Sequence, residues 1–311
     1  MTSDSTLSHF ASAHGDALAL HDWPLSAGWP TRGVVLLVHG LGEHVGRYMH
    51  VADRLNQWGF SVRGYDQYGH GESAGIRGEL PTDDQLLTDL AAVIDDTRIR
   101  MDDRLPLILL GHSLGGLVAA RLVSLKLRRV DALVLSSPSL DVGMTVVQKA
   151  LTASLYRVAP QARVANGVDA RFLSHDHAVV DAYRDDPLVH DRISARLAHF
   201  IATAGPAVIK RAPRWKVPTL LLYAGQDRLV RAAGSRAFAS AAPAEWVTAQ
   251  DFPMHSTSCS TSSKARPCSR RCTTGWCRAF RPSCWARPAS RCPAARRRTS
   301  RTPVERVTPF A

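Results

Sequence analysis

The sequence predicts an α/β fold built on a mostly parallel sheet, and three observations carry that prediction. Short apolar runs rich in Val, Ile and Leu recur at 34–38, 107–110, 132–135 and 219–223. Between them lie longer stretches with apolar residues at helical spacing, over 48–58, 86–99 and 114–129. The two alternate along the chain, as a parallel sheet requires, because each crossover must travel back along the sheet before the next strand begins. Continuous apolar strands also imply that helices cover both faces.

Taken in order, the strand candidates are 17–23, 34–38, 61–65, 107–110, 132–135, 219–223 and 245–248. About 250 residues carry the pattern, enough for one sizeable core. The alternation is interrupted over 141–204, which holds helical patterns at 146–158 and 193–203 and reads as an insertion into the domain. Its apolar residues Met144, Val146, Val147, Leu151, Leu155 and Tyr156 fit either the lining of an apolar channel or, residue by residue more often, ordinary core.

Gly111-His112-Ser113-Leu114-Gly115 lies between the strand at 107–110 and the helix beginning at 114. A serine there sits on a sharp turn, and glycines two places either side let backbones approach where a Cβ would clash. Such a turn holds the Ser113 hydroxyl out above the sheet as a nucleophile. A second strand, 34–38, runs into His39-Gly40-Leu41-Gly42-Glu43-His44. A glycine-bearing turn after a strand can aim backbone N–H groups at a developing oxyanion, and the expected donors are those of Leu41 and Leu114. The strand at 219–223 ends in Ala224-Gly225-Gln226-Asp227, which puts a carboxylate on the same rim. Asp227 is therefore the expected acid; Ser113 followed by Asp227 also fits a chain order of serine, acid, histidine.

These residues resemble the monoacylglycerol lipase and lysophospholipase branch of the α/β hydrolases, catalogued with the serine aminopeptidases of family S33. The resemblance covers about residues 15–253. It rests on His39-Gly40-Leu41-Gly42-Glu43-His44, Arg47-Tyr48, Asp66-Gln67-Tyr68-Gly69-His70-Gly71-Glu72-Ser73, the Gly-His-Ser-Leu-Gly-Gly elbow, and Gly225-Gln226-Asp227-Arg228-Leu229-Val230. It implies an α/β-hydrolase fold in which the insertion over 141–204 forms a helical cap whose apolar channel would take the acyl chain. The resemblance further implies hydrolysis of a lipid ester, a monoacylglycerol or lysophospholipid, through an acyl-enzyme. It also implies that the Asp66 motif is structural, forming a turn that supports the oxyanion loop. Serine rather than aspartate at the elbow argues against dehalogenase or epoxide-hydrolase chemistry. No cofactor is expected, and no metal, since no H-x-x-H, H-E-x-x-H or C-x-x-C spacing occurs.

Composition changes abruptly after Pro253. Residues 1–253 carry no net charge, so the +12 of the chain comes entirely from 254–311, which also hold all six cysteines. Three readings compete for this basic, Cys-rich tail, which lacks hydrophobic periodicity and reads as disordered. It would bind polyanions through clustered arginine, or staple a small disulfide module, which suits a secreted chain although the N-terminus shows no signal peptide. The third reading is a shifted translation frame. One base inserted after the Pro253 codon, with permitted codons throughout, turns the following residues into Pro-His-Ala-Leu-His-Glu-Leu-Phe. That resembles the family's His-Glu-(Leu/Ile)-Phe-Asn-Glu element, and its amphipathic last helix follows. In the restored frame the histidine base falls where Thr257 now stands. His255, two residues earlier, is the base available to the chain as written, and it serves only if the loop rearranges.

The expectation is a serine esterase domain over 1–253 followed by a frameshift-like tail over 254–311. Its partner is a small lipid ester, with transient membrane-surface contact through the cap and no specific nucleic acid. With neither signal peptide nor transmembrane run, a cytoplasmic location is expected. The rival readings are a hydrolase of other specificity, such as a peptidase or thioesterase, and a non-catalytic hydrolase-like binding protein with a polyanion-binding tail.

Overall fold

Strands buried along their whole length fill the middle of the sheet, where both faces are covered. β3 (Gly33–Val38) and β5 (Leu107–His112) are buried along their whole length and pair with each other in parallel. The computed structural model describes residues 5–26, 28–172, 177–227 and 229–252. The remaining strands of the main sheet are β1 (Thr6–Ala11), β2 (Ala17–Trp23), β4 (Phe60–Tyr65), β6 (Ala132–Ser136), β9 (Thr219–Ala224) and β10 (Val247–Phe252). Their order is β1-β2-β4-β3-β5-β6-β9-β10. Only β2 runs against the other strands, antiparallel to both β1 and β4. A short antiparallel pair, β7 (Arg163–Ala165) and β8 (Arg192–Ser194), lies apart from this sheet.

Side chains alternate between two cores, as strand geometry demands. Along β5, Leu107 and Leu109 join one cluster, and Ile108 and Leu110 join the other. The first cluster is covered by α2 (Gln85–Arg100), α3 (Leu114–Leu125), α6 (Ala195–Arg211) and α7 (Ala232–Ala241). The second receives Ala52 and Leu55 of α1 (Met49–Gln57), together with Val45 and Tyr48 ahead of it. The α3 helix stops four residues short of the expected 129, because Lys126 takes a left-handed conformation (φ 56°) and closes the C-terminus.

Within the insertion expected over 141–204, two helices behave differently. The α6 helix buries Leu197, Ile201 and Ala204 in the main core. It runs on past the expected 203 to Arg211, in spite of Pro206. By contrast, α4 (Val146–Val158) has no buried residue. A capping box starts it: the Thr145 hydroxyl accepts from the Gln148 amide while the Gln148 side chain accepts from Thr145 N–H. Val146, Val147 and Leu151 are 84%, 76% and 68% exposed, so the expectation that they are core residues is corrected. The apolar spacing built the helix, but no described element covers that face. Another short helix, α5 (His177–Arg184), follows in the same region.

Candidate active site

Ser113 sits where β5 ends and α3 begins, with φ 49° and ψ −115°. For a residue bearing a Cβ this left-handed conformation is strained, and such strain persists only where the surroundings enforce it. Here they do. Ser113 N–H donates to Ser136 O (3.0 Å), and Ser113 O accepts from the amides of Leu117 and Ser139 (3.1 and 3.0 Å). The flanking glycines are needed for contact: a Cβ at Gly115 would drive into the carbonyls of Val38 and His39, and one at Gly111 would stand 2.5 Å from Gly115 O.

That close approach joins the start of α3 to the loop after β3. A Cβ at Gly40 would sit 3.4 Å from Ser113 Cβ, so Gly40 and Leu41 lie beside the serine. Leu114 is the first residue of α3, where backbone amides have no intrahelical acceptor. Polar side chains shape the loop from below. Glu43 Oε1 accepts from Gly40 N–H (2.7 Å) and from the Tyr48 hydroxyl (2.6 Å). Burial raises the Glu43 carboxyl, but His112, the Tyr48 hydrogen bond, His39 and Arg47 outweigh it and hold it below its ordinary range. His39 is fully buried. Its Nε2 accepts from Gln67 N–H (2.9 Å), so Nδ1 carries the proton and donates to Gly40 O (2.7 Å). Desolvation lowers its pKa, in keeping with a neutral ring that supports the loop.

Asp66 does the same from the neighbouring turn. Its two oxygens accept from the amides of Val45 (2.8 Å) and Glu72 (2.9 Å), while its own carbonyl accepts from Ser73 Oγ (2.6 Å).

Asp227 follows β9 on the same rim as Ser113. Its Oδ1 accepts from the amides of Leu229 and Val230 (both 2.9 Å), which orient the carboxylate. Backbone hydrogen bonds connect the two positions across the strand ends. Ser113 N–H reaches Ser136 O, and the next residue's amide, Ser137 N–H, reaches Leu222 O (2.8 Å) near the end of β9. Two other carboxylates, Asp131 and Asp251, are held in ion pairs. Asp131 binds Leu107 N–H (2.9 Å) and Arg98 (2.7 Å), at the start of β5 and hence the opposite rim from Ser113. Asp251 pairs with Arg236 along β10. His255 lies outside the described residues.

One site residue was missed by the sequence reading. The Ser139 hydroxyl is 3.2 Å from Ser113 Oγ and is 5% exposed. Ser136-Ser137-Pro138-Ser139 after an apolar strand was its signal, since the end of β6 reaches the same rim. Of the six apolar residues expected in the insertion, Met144 lines a cavity of about 530 Å³ with Leu140, Val142 and Ile201.

A seam joins the insertion to the oxyanion loop. His190 N–H donates to Gly42 O (2.9 Å). The His70 and His190 rings lie 4.7 Å apart, and His44 Nε2 meets Asp186 at 2.9 Å. Burial, then His39 and His190, push His70 well below its ordinary value, and burial, then Arg77 and His39, push His190 down to about 4. No group of residues among those described is arranged to hold a metal ion, and no described helix is long and apolar enough to cross a membrane.

A serine on a strained strand–helix turn at the C-terminal rim of a mostly parallel eight-stranded sheet, with a carboxylate on that rim, defines an α/β hydrolase. Residues 30–255 match the serine aminopeptidase S33 family, and the chain belongs to that family, in its monoacylglycerol lipase-like branch. It is 30% identical over 245 residues to an uncharacterized abhydrolase domain-containing protein of Dictyostelium discoideum, an alignment covering 77% of this chain and 25% of that protein. Identity to the monoacylglycerol lipase of Mycolicibacterium smegmatis is 36% over 231 residues, covering 71% of this chain and 80% of the relative. The chain thus spans a quarter of the first relative's length and most of the second's. The crystal structure of Paleococcus ferrophilus monoacylglycerol lipase superposes with a TM-score of 0.74 at 31% identity, covering 85% of this chain and 99% of that one.

Proposed function

We propose that the domain encodes a serine esterase that cleaves monoacylglycerols or lysophospholipids through an acyl-enzyme. The observation that carries this reading is the strained Ser113 held beside the Gly40–Leu41 loop. In this reading Ser113 Oγ attacks the ester carbonyl, the amides of Leu41 and Leu114 receive the oxyanion, and Asp227 orients the base. The lipid-ester preference is supported by the relatives named monoacylglycerol lipase.

The base is where this chain departs from the reading. In the frame-restored sequence a histidine takes the place of Thr257; as written, the nearest histidine is His255. Losing a triad base costs about 10⁴–10⁶ in rate, so the chain as written is expected to be nearly inactive. The family match ends at residue 255, within two residues of the change in composition, which supports the same boundary.

The test uses a fluorophosphonate probe and monoacylglycerol hydrolysis, on the chain as written and on one with a base inserted after the Pro253 codon. We expect labelling at Ser113 and hydrolysis in the repaired chain, both abolished by Ser113→Ala. Activity that survives Ser113→Ala would sink the assignment. A repaired, folded chain that neither labels nor hydrolyses would favour a hydrolase-like binding protein instead. Robust hydrolysis by the unrepaired chain, lost on His255→Ala, would assign the base to His255 and overturn the frame reading's functional half.

A further inference from the structure

At the far end of α3 from Ser113, about 18 Å along a helix of 12 residues, six cations line one cavity: Arg121, Lys126, Lys210, Arg211, Arg214 and Lys216. The cavity measures about 710 Å³, and among the described residues no aspartate or glutamate contributes to its wall. Such a concentration is not a consequence of overall charge, because residues 1–253 are neutral in sum. Among the described residues, none of the six has a carboxylate within ion-pair distance.

Helix ends account for part of the cluster. Lys126 caps α3, and Lys210 and Arg211 fall in the last turn of α6, where cations complement the exposed carbonyls. Arg211 Nη1 donates to Ser124 O (3.2 Å) in that way. The remaining three cations are not explained so. Arg121 lies a turn further back in α3, and its Nη1 is buried without a hydrogen-bond partner among the described residues. Arg214 and Lys216 come after α6, exposed on the cavity's rim. An unpartnered guanidinium nitrogen is costly to bury. Burial first, and then the neighbouring Arg211 charge, depress the Arg121 pKa.

We propose that this cavity is a binding site for a small organic polyphosphate, an ester carrying two or three linked phosphates on an apolar or aromatic group. The volume suits such a molecule, since small-ligand sites occupy about 300–1,000 Å³. A monovalent anion would leave most of the six charges uncompensated, whereas linked phosphates offer enough oxygens for guanidinium forks and ammonium groups together. Val123, Pro213 and Val217 supply an apolar wall for the organic part.

The test is calorimetric titration of the full chain with ADP and with inorganic tripolyphosphate at near-physiological salt, repeated on Arg121→Gln/Arg214→Gln and on Arg214→Gln alone. The basic tail is identical in all three chains, so its non-specific attraction cancels in the comparison. We expect saturable one-to-one binding that weakens about tenfold or more in the double variant and several-fold in the single one. Arg214 makes no described hydrogen bond and is exposed, so its variant decides the matter if the double variant melts early. Equal affinity in all chains, or no saturation, overturns the proposal. A third arm uses vesicles of phosphatidylglycerol against phosphatidylcholine. Arginine-dependent retention on the anionic vesicles without binding of either soluble anion would also overturn it, in favour of a lipid headgroup.

Discussion

The rim around Ser113 and the insertion between Leu140 and α6 are built on different principles. At the rim, backbone meets backbone. The carbonyls of Val38 and His39 press on Gly115, and Ser113 is held by hydrogen bonds to Ser136, Leu117 and Ser139. The insertion meets the domain through backbone at the seam, where the His190 and Ser194 amides donate to Gly42 O and Gly78 O, but around α4 side chains do the reaching. Tyr156 donates to Asp83 (2.6 Å) and stacks on His199 at 4.2 Å, and Arg196 binds Asp83 and Leu80 O. The rim therefore over-determines each atom, while the insertion is attached at a few polar points and exposes its apolar helix face. Contacts of the first kind tolerate almost no added volume; those of the second can be exchanged singly at small cost.

The largest expected effect concerns the rim's chemistry. In the frame-repaired chain, Asp227→Asn should leave the melting temperature nearly unchanged and lower turnover by about 10²–10⁴, because the base loses its orienting carboxylate. A loss under threefold in a steady-state ester assay would move the acid elsewhere. Asp131 is no substitute, given its place on the opposite rim; Asp251 would be next to test.

Next comes Gly115→Ala, which adds one methyl against two fixed carbonyls. We expect destabilisation of about 2–4 kcal/mol, or failure to fold, in a urea titration. A loss below 0.5 kcal/mol, roughly the noise level for surface changes, would mean that the rim yields, and the contrast drawn above would fall.

Titration separates the two regions by sign. Burial pushes the Asp89 carboxyl up to about 6, against the Gln85 amide that bonds both its oxygens. With a folded pKa above the unfolded one, the scaffold is destabilised by Asp89 as pH rises from about 4 through 6, and the whole penalty is present at neutral pH. Asp89→Asn should raise stability at pH 7 by about 1–3 kcal/mol and by little at pH 4. At the seam the sign reverses. His70 and His190 are depressed below their ordinary values, so the stability they contribute is complete above about 6.5 and drains away as pH falls toward the folded pKa, about 4 for His190. The protection factor of the His190 amide, which donates to Gly42 O, should therefore fall between pH 6.5 and 5, ahead of those in the strands. Uniform exchange across both regions would remove the distinction.

The smallest effect belongs to α4. Leu151→Ser should change stability by no more than about 0.5 kcal/mol, since the side chain is 68% exposed. A larger loss would show that something covers this helix in solution.

The same contrast explains what could be read in the sequence. The central strands and the positions of Ser113 and Asp227 at strand ends were legible because burial on both faces writes a continuous apolar run, and a strand's end is where such a run stops. Ser113 was doubly marked by Gly111 and Gly115. The polar edges were not legible. β1 is almost wholly exposed and was not expected, and β10 buries only its two ends, Val247 and Phe252, with mostly polar residues between, so its span was displaced to 245–248. α7 is built from Ala, Gly and Ser, which leave little periodic signal. For α4 the pattern was read as a helix correctly and as core wrongly. Periodicity records that one face is apolar and is silent about what faces it. Ser139 was missed because a hydroxyl acquires its meaning only from what stands 3.2 Å away.

The packing of Gly205 has a further consequence. A Cβ there would enter the backbone of Leu140, whose carbonyl and Cα lie against it, so the chain leaves the sheet and returns through α6 at nearly the same point in space. The intervening segment is a loop whose ends are already tied together. Closing a flexible loop costs only about 0.6 kcal/mol more for each doubling of its length. A segment of half or twice the present length could hang from this knot without disturbing the strands beneath.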